Sequence, residues 1–504
     1  MKALAVIVMA SCAFSSAGCQ ISVPNFFTDH MVLQRDQPIH LWGESRPGER
    51  VSITLGEDET KALTDSVGHW TVSLPARAAG GPFDLKIRGS NELNFHDVMI
   101  GDIWIAAGQS NMEMPLRGFP GSAVLKNGEQ EIAAASHPQI RLLHMAHRTA
   151  AYPQADAAAA WSVCTPETAR DISAVGYFFS REIEQDQQVA VGLIDATWGG
   201  TPAESWISLQ GLSRSAALAP VFRFWSEFSA AQQDVKGVVA RDKTDDDAAR
   251  KQGKEPHRHP WQPNPDSWAP AGIYNGMIHP LTPMTIRGVI WYQGETNSDV
   301  RRVEAYQQIF TTLIQDWRTQ WGSGTFPFIY AQISSFRSTP QENWGMLRDA
   351  QRRTLNVTHT GMIPTLDVGD PDNVHPSDKQ TVGHRMALAA RSLAYGEKTS
   401  FSGPLYERAD RNSGGLQVHF NHAVGLRCKQ KLCAGFEIAG EDHGFVPATA
   451  VVQRNSVEVQ SSEVLEPRYV RYAWANAPEG NLTDSEGLPA PTFSSEPSPL
   501  ARTR

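Results

Sequence analysis

Ile100-Gly101-Asp102-Ile103-Trp104-Ile105-Ala106-Ala107-Gly108-Gln109-Ser110-Asn111-Met112 begins as an apolar run and ends in a turn of small and polar residues. The run predicts a buried strand. A serine at the point where such a strand gives way stands at the carboxyl edge of a sheet, where open α/β folds place their ligands. Ser110 is therefore placed like a nucleophile. Far downstream, Asp372-Asn373-Val374-His375 precedes Pro376. Serine, histidine and carboxylate together suffice for acyl transfer.

Outward from that strand, buried strands alternate with amphipathic helices. Val189–Ile194, Gly288–Tyr292, Phe328–Ala331 and Met362–Leu366 read as strands, the last weakened by Pro364. The segment Ile172–Ile183 carries Val175, Phe178, Phe179 and Ile183 at helical spacing. Val303–Trp321 places Tyr306, Ile309, Phe310, Leu313 and Trp317 on one face. A last helix is expected to start at Pro376, a favoured first helical residue. This alternation predicts an α/β core around a mostly parallel sheet covered on both faces.

The flanks read differently. Residues 20–97 alternate with period two and are punctuated by Pro47-Gly48, Gly68 and Gly80-Gly81-Pro82, the pattern of a β-sandwich module. Alternation returns over 401–486, as at Leu416–Phe420 and Ser456–Val459, predicting a second β module. The core is then expected over 98–400, with a polar surface excursion over 207–270 that contains the His257/His259 pair. A Ser- and Pro-rich tail, 487–504, is expected to be frayed.

Composition narrows the function classes. The 504 residues are 41% hydrophobic and 20% charged, with a formal net charge of −9 and no long basic run. This disfavours nucleic acid and anionic membrane surfaces as partners. Fourteen Trp are many for this length and suit stacking on sugar rings as well as a core. Residues 1–19 have the form of an export signal: Met1-Lys2, an apolar stretch too short to span a bilayer, then small residues before Cys19. Two readings of it stand, a cleaved leader and a lipoprotein signal anchored at Cys19; both place the protein in the periplasm or outside the cell. No later stretch has the length of a membrane span. Cys428 and Cys433 are spaced to close a small disulfide loop, Cys164 is left alone, and no cysteine spacing resembles a zinc site.

A serine hydroxyl needs a base within reach, and the base needs an orienting partner. His375 stands out among sixteen histidines because Asp372 lies three residues before it. Asp367 and Asp370 are rival carboxylates, and a bland role as helix cap remains open for His375. A base near the ordinary histidine value of about 6.5 predicts turnover that falls on the acid side. Candidate oxyanion donors are the Ser110 N–H, the glycine turn Thr197-Trp198-Gly199-Gly200-Thr201, and the polar turn Gln293-Gly294-Glu295-Thr296-Asn297. Each turn follows a predicted strand, so the three can converge on one sheet edge.

These blocks, with Met31-Val32-Leu33-Gln34 and Asn481-Leu482-Thr483, resemble the sialate O-acetylesterase family of the SGNH hydrolases over most of the chain. The resemblance implies a three-layer SGNH-hydrolase-like core and a serine esterase that removes O-acetyl groups from carbohydrate without a cofactor or metal. It assigns Ser110 as nucleophile, His375 as general base and acid, Asp372 as its partner, and Gly200 as an oxyanion donor. The wider superfamily expects an asparagine in a Gly-x-Asn-Asp block. Here Gln293 is expected to replace it, with Asn297 the alternative. Trp198, Trp291, Tyr292, Glu295 and Asn297 are candidates for the sugar site, although the aromatic residues suit the core equally. Acetylated sialic acid and acetylated plant xylan or xyloglucan both stand as substrates. A non-catalytic carbohydrate-binding protein and a lipid esterase are the rivals; a complete set of triad residue types counts against the first, and the lack of an evident amphipathic lid against the second.

Overall fold

A computed structural model describes residues 20–231, 234–254, 262–412 and 414–498. The segment with Cys12 and Cys19 and the His257/His259 pair lie outside the described residues. The strand predicted from Ile100 is the centre of the molecule and is longer than expected, Glu92–Gly108. Its first six residues alternate between exposed and partly buried, and its last eleven are all buried. The change marks the passage from a sheet with one solvated face to one covered on both. Residues 97 and 98, where the N-terminal module was expected to end, fall inside this strand.

On its outer half the strand pairs antiparallel with Gly80–Arg88 and parallel with Val32–Gln34. On its inner half it pairs parallel with Val191–Thr197 on one side and Gly288–Tyr292 on the other. Phe328–Ala331 and Thr360–Ile363 extend the sheet in parallel beyond Gly288–Tyr292. His137–His144 adds in parallel beyond Val191–Thr197, and Trp161–Cys164 closes that edge antiparallel. The 11-stranded sheet is therefore mixed as a whole, with a parallel stretch at its centre.

Helices cover both faces. Side chains alternate along a strand, so Trp104 and Ala107 point opposite ways, and Trp291 shares the Ala107 face by register. Trp104 meets Phe179 edge-on and donates to the Tyr395 hydroxyl, so helices Ala174–Gln187 and Lys379–Tyr395 lie on its face. Trp291 packs against Phe310 and Trp317 of helix Tyr306–Trp321 on the other. At the foot of the strand, buried Asp102 accepts from Gln34, Arg35, Arg287 and Tyr395. Burial opposes its charge, but the two guanidiniums hold it below the usual carboxylate range. Three separate parts of the chain are thereby fixed to the strand that leads to Ser110.

Several local expectations shift. The last helix starts at Lys379, not Pro376: Asp378 accepts from the Thr381 N–H at 3.0 Å and supplies the cap. His375 thus sits in a loop. The strand predicted to reach Leu366 ends at Ile363, before Pro364. The excursion over 207–270 contains helices Leu209–Ser213, Ala219–Ala231, Val235–Lys251 and Pro265–Trp268. Ala219–Ala231 is amphipathic, with Phe224, Trp225 and Phe228 half-buried and Phe222 exposed, a pattern hidden by the charge of its neighbours. Among the described residues no helix is long and apolar enough to cross a membrane.

The C-terminal region forms two four-stranded sheets around a separate apolar core, with Cys428 bonded to Cys433. The expected frayed tail is partly structured. Phe493–Ser494 is a strand paired with Tyr469–Tyr472, and Phe493 is fully buried, stacked on Tyr406 at 4.6 Å. One aromatic ring outweighs the surrounding Ser and Pro. Phe493→Ala should destabilise this region by about 3–5 kcal/mol, read as a lowered denaturant midpoint, while a surface change such as Ser485→Ala leaves it in place.

Candidate active site

Register brings the turns together. Gly108 is paired with Thr197 on one side and Tyr292 on the other, so the turns that follow these three residues leave the sheet from one edge. Gly108 has φ +132°, and a Cβ there would lie 2.2 Å from the Tyr292 carbonyl oxygen. Only glycine lets the two strands close at this point. The Gln109 N–H donates to the same oxygen at 3.0 Å. The Gln109 side chain then accepts from the N–H groups of Gly294 and Thr296, both at 3.2 Å. Ser110 opens the short helix Ser110–Glu113 and is half-buried.

Asn111, fully buried, is the junction of the site. Its Nδ2 donates to Glu295 Oε1 at 2.6 Å and to the Val374 carbonyl at 2.9 Å. Its Oδ1 accepts from the Lys379 ammonium. The residue after Ser110 is thereby joined to the residue before His375. Lys379 is itself fully buried, with Nζ 5.6 Å from the centre of the Tyr292 ring. Burial pulls it down to about 7, against the opposing charges of Glu295 and Asp378. Glu295 is pushed up by burial, and its Oε2 has no hydrogen-bond partner.

His375 is half-buried, edge-on to Phe119 with ring centroids 5.1 Å apart. Its backbone N–H donates to Asn373 Oδ1 at 3.0 Å. Desolvation, reinforced by the Lys379 charge, pulls the imidazole down to about 4. No carboxylate touches its ring among the described residues. Asp372 is exposed and pairs with Arg337 at 2.7 Å instead of with His375. The rivals are engaged elsewhere: Asp367 pairs with Arg385, and Asp370 accepts from the Asp372 N–H.

The glycine turn lies against the serine. A Cβ on Gly199 would come within 3.2 Å of Ser110 Cβ and 2.6 Å of Glu113 Oε2. The Gly199 N–H donates to Glu113 Oε2 at 2.7 Å. Gly200 follows at φ +69°, and its carbonyl accepts from Trp268 Nε1 at 2.7 Å. Its N–H takes no partner among the described residues. Gln293 departs from expectation: its Nε2 donates to the Thr201 carbonyl at 3.2 Å and to Asn297 Oδ1 at 2.7 Å. Both amide hydrogens are committed inward, so Gln293 holds the turn and offers no free donor. The alternative, Asn297, is fully buried and donates to Glu204.

Of the aromatic candidates, Trp291 and Tyr292 are fully buried core. Trp198 is half-buried and stacked on His147, rings 4.4 Å apart and 2° from parallel. Glu295 and Asn297 serve the network beneath the turns. Among the described residues no group of His, Cys, Asp or Glu is placed to hold a metal ion. The residues that sequence reasoning passed over are Gln109, Asn111, Glu113 and Lys379. The signal for Asn111 was its position directly after the serine. Lys379 carried none, because a lysine at a helix start reads as solvated.

The comparisons with known proteins agree on one family. A family model described as carbohydrate esterase, sialic acid-specific acetylesterase, matches residues 100–235 and 258–392. Sialate O-acetylesterase of Homo sapiens is 31% identical, covering 95% of this chain and 93% of its own length. Sialate O-acetylesterase of Pongo abelii is 33% identical over the same shares. The crystal structure of a carbohydrate acetylesterase from Xanthomonas citri superimposes with a TM-score of 0.81 at 34% identity, covering 95% of this chain and all of that one. The chain belongs to the sialic acid-specific acetylesterase family of carbohydrate esterases, and is a carboxylic ester hydrolase of the sialate O-acetylesterase-like kind.

Proposed function

We propose that this esterase works as a serine hydrolase on an SGNH-like three-layer scaffold, with Ser110 as nucleophile and His375 as general base. The observation that carries this reading is the Asn111 junction: its Nδ2 donates to the Val374 carbonyl next to His375, and its Oδ1 accepts from Lys379 of the last helix. Ser110 Oγ attacks the acetyl carbonyl as His375 takes its proton. The oxyanion is met by the Ser110 and Gly200 N–H groups, each donor worth about 3 kcal/mol of barrier. The bond to the sugar oxygen breaks, His375 returns the proton to that oxygen, and an acetyl-enzyme remains. Water activated by His375 then releases acetate.

Asp372 joins by exchange. Its contact with Arg337 is exposed on both sides, and such pairs are worth about 0–1 kcal/mol. Leaving Arg337 for His375 Nδ1 is therefore cheap, and it supplies the carboxylate that a developing imidazolium needs. Ser110→Ala should lose 10³-fold or more of acetyl-ester turnover. Asp372→Asn should lose about 10²-fold, with Arg337→Ala spared. Full activity in Ser110→Ala would end the serine reading.

The pH profile follows from the sign of the His375 shift. The neutral imidazole is the base, and its value in the free enzyme is lowered to about 4. The acid limb of kcat/KM, which reports the free enzyme, should therefore fall near pH 4. A limb near the ordinary histidine value would contradict the buried setting.

The acetyl group is carried by a sialic acid. The curated relatives named for that substrate align with this chain nearly end to end. Acetate release should be faster from O-acetylated sialic acid than from acetylated xylan or xyloglucan; the reverse order would assign the enzyme to plant hemicellulose. The Cys428–Cys433 bridge fits an oxidising compartment and supports an exported enzyme.

A further inference from the structure

Glu113 has no part in the acyl-transfer steps above, yet it is bound to the turn those steps depend on. It is the last residue of the Ser110–Glu113 helix, and its side chain is 23% exposed. Oε2 accepts from the Gly199 N–H at 2.7 Å. Oε1 lies 3.1 Å from His147 Nε2. That nitrogen is also 3.0 Å from the Thr197 carbonyl. Both of its neighbours are acceptors, so Nε2 carries the proton. The His147 ring stacks flat on Trp198. Three consecutive residues of the turn, Thr197, Trp198 and Gly199, are thus gripped by the Glu113–His147 pair.

The geometry points to Glu113 as a positioning residue: its carboxylate locks the Gly199–Gly200 turn against the nucleophile helix and leaves the Gly200 N–H as the open donor. The turn offers two successive N–H groups beside Ser110. A free Gly199 N–H would let the turn settle in more than one orientation. With that group held by Glu113, and Gly200 in the left-handed region with its carbonyl on Trp268, the peptide between them has one orientation. A charge-assisted bond of this kind is stronger than a neutral one. It links the two parts whose spacing must match the tetrahedral intermediate. Gly199 must also be glycine here, because its missing Cβ is what admits the carboxylate.

This inference rests on Ser110 being the nucleophile, so Ser110→Ala is run beside it. Glu113→Ala should lower kcat about 30- to 100-fold on acetyl esters with KM changed less than threefold. Labelling of Ser110 by an organophosphonate, which needs the same oxyanion donors, should slow by a similar factor. Glu113→Gln keeps an acceptor for the Gly199 N–H and should recover turnover to within about fivefold of the wild type. The fold is checked by circular dichroism and melting; if Glu113→Ala fails to fold, Glu113→Met, which keeps the length of the side chain without the carboxylate, takes its place with the same expected loss. Unchanged kcat in Glu113→Ala, a loss confined to KM, or no recovery in Glu113→Gln would overturn the assignment. Active Ser110→Ala would remove the serine reading itself. Inactive Ser110→Ala with normal Glu113→Ala would remove the clamp alone.

Discussion

One buried amide holds the site together. Asn111 uses its nitrogen on Glu295 and the Val374 carbonyl and its oxygen on Lys379, so the Ser110 helix, the Glu295 turn, the His375 loop and the last helix all meet at one side chain. The burial of these partners makes the junction rigid. Leaving a buried donor or acceptor unpaired costs about 1–3 kcal/mol, more for charged groups. Any displacement of one turn would strand several such groups at once. The network also has an unfinished place, the unpartnered Oε2 of Glu295. The upward push on Glu295 and the downward pull on Lys379 run in the same sense, since burial of each disfavours its charged form.

That network also sets the character of the proposed base. His375 is lowered first by desolvation and second by the Lys379 charge, both of which favour the neutral ring. A ring kept neutral over most of the pH range is always ready to accept a proton, but it is a weak acceptor while no carboxylate faces it. Asp372 lies on the same loop as His375, and its exposed partner Arg337 comes from another segment of the chain. Arrangement of this kind separates readiness from strength: burial supplies the first, and the approach of a carboxylate supplies the second. On the proposed mechanism, the cost of assembling the triad is met only when it is needed.

What the sequence disclosed follows from range. The run from Ile100 to Ala107, the helix face from Tyr306 to Trp317, and the alternation before residue 92 are local periodicities, and the structure has elements at each. The pairing of Cys428 with Cys433 was likewise legible from spacing. What was hidden is non-local. Trp291 and Tyr292 suited a sugar site and the core equally; the helix Tyr306–Trp321 that buries Trp291 is distant in sequence. Asp372 looked like a partner of His375 because it was three residues away, while Arg337 was 35 residues away and had no visible claim on it. The expected N-terminal boundary falls where alternation stops, inside one strand that carries both patterns, because the environment changes partway along it.

Gln293 shows how the site divides its labour. As an oxyanion donor it would have to hold a flexible amide toward solvent and substrate. Instead it is fully buried, donates to Thr201 and Asn297, and accepts from Tyr306 at 2.9 Å. Thr201 follows Gly200 directly, so the bond to its carbonyl fixes the far side of the glycine turn, as Glu113 fixes the near side. A backbone N–H held from both sides needs no reorganisation when negative charge develops, and donors of that kind account for much of the rate gain in sites that exclude water. A side-chain amide in the same place would lose part of its worth to rotamer freedom. The departure from the superfamily asparagine is therefore consistent with an oxyanion site built on main chain, in which the amide side chains serve as its frame.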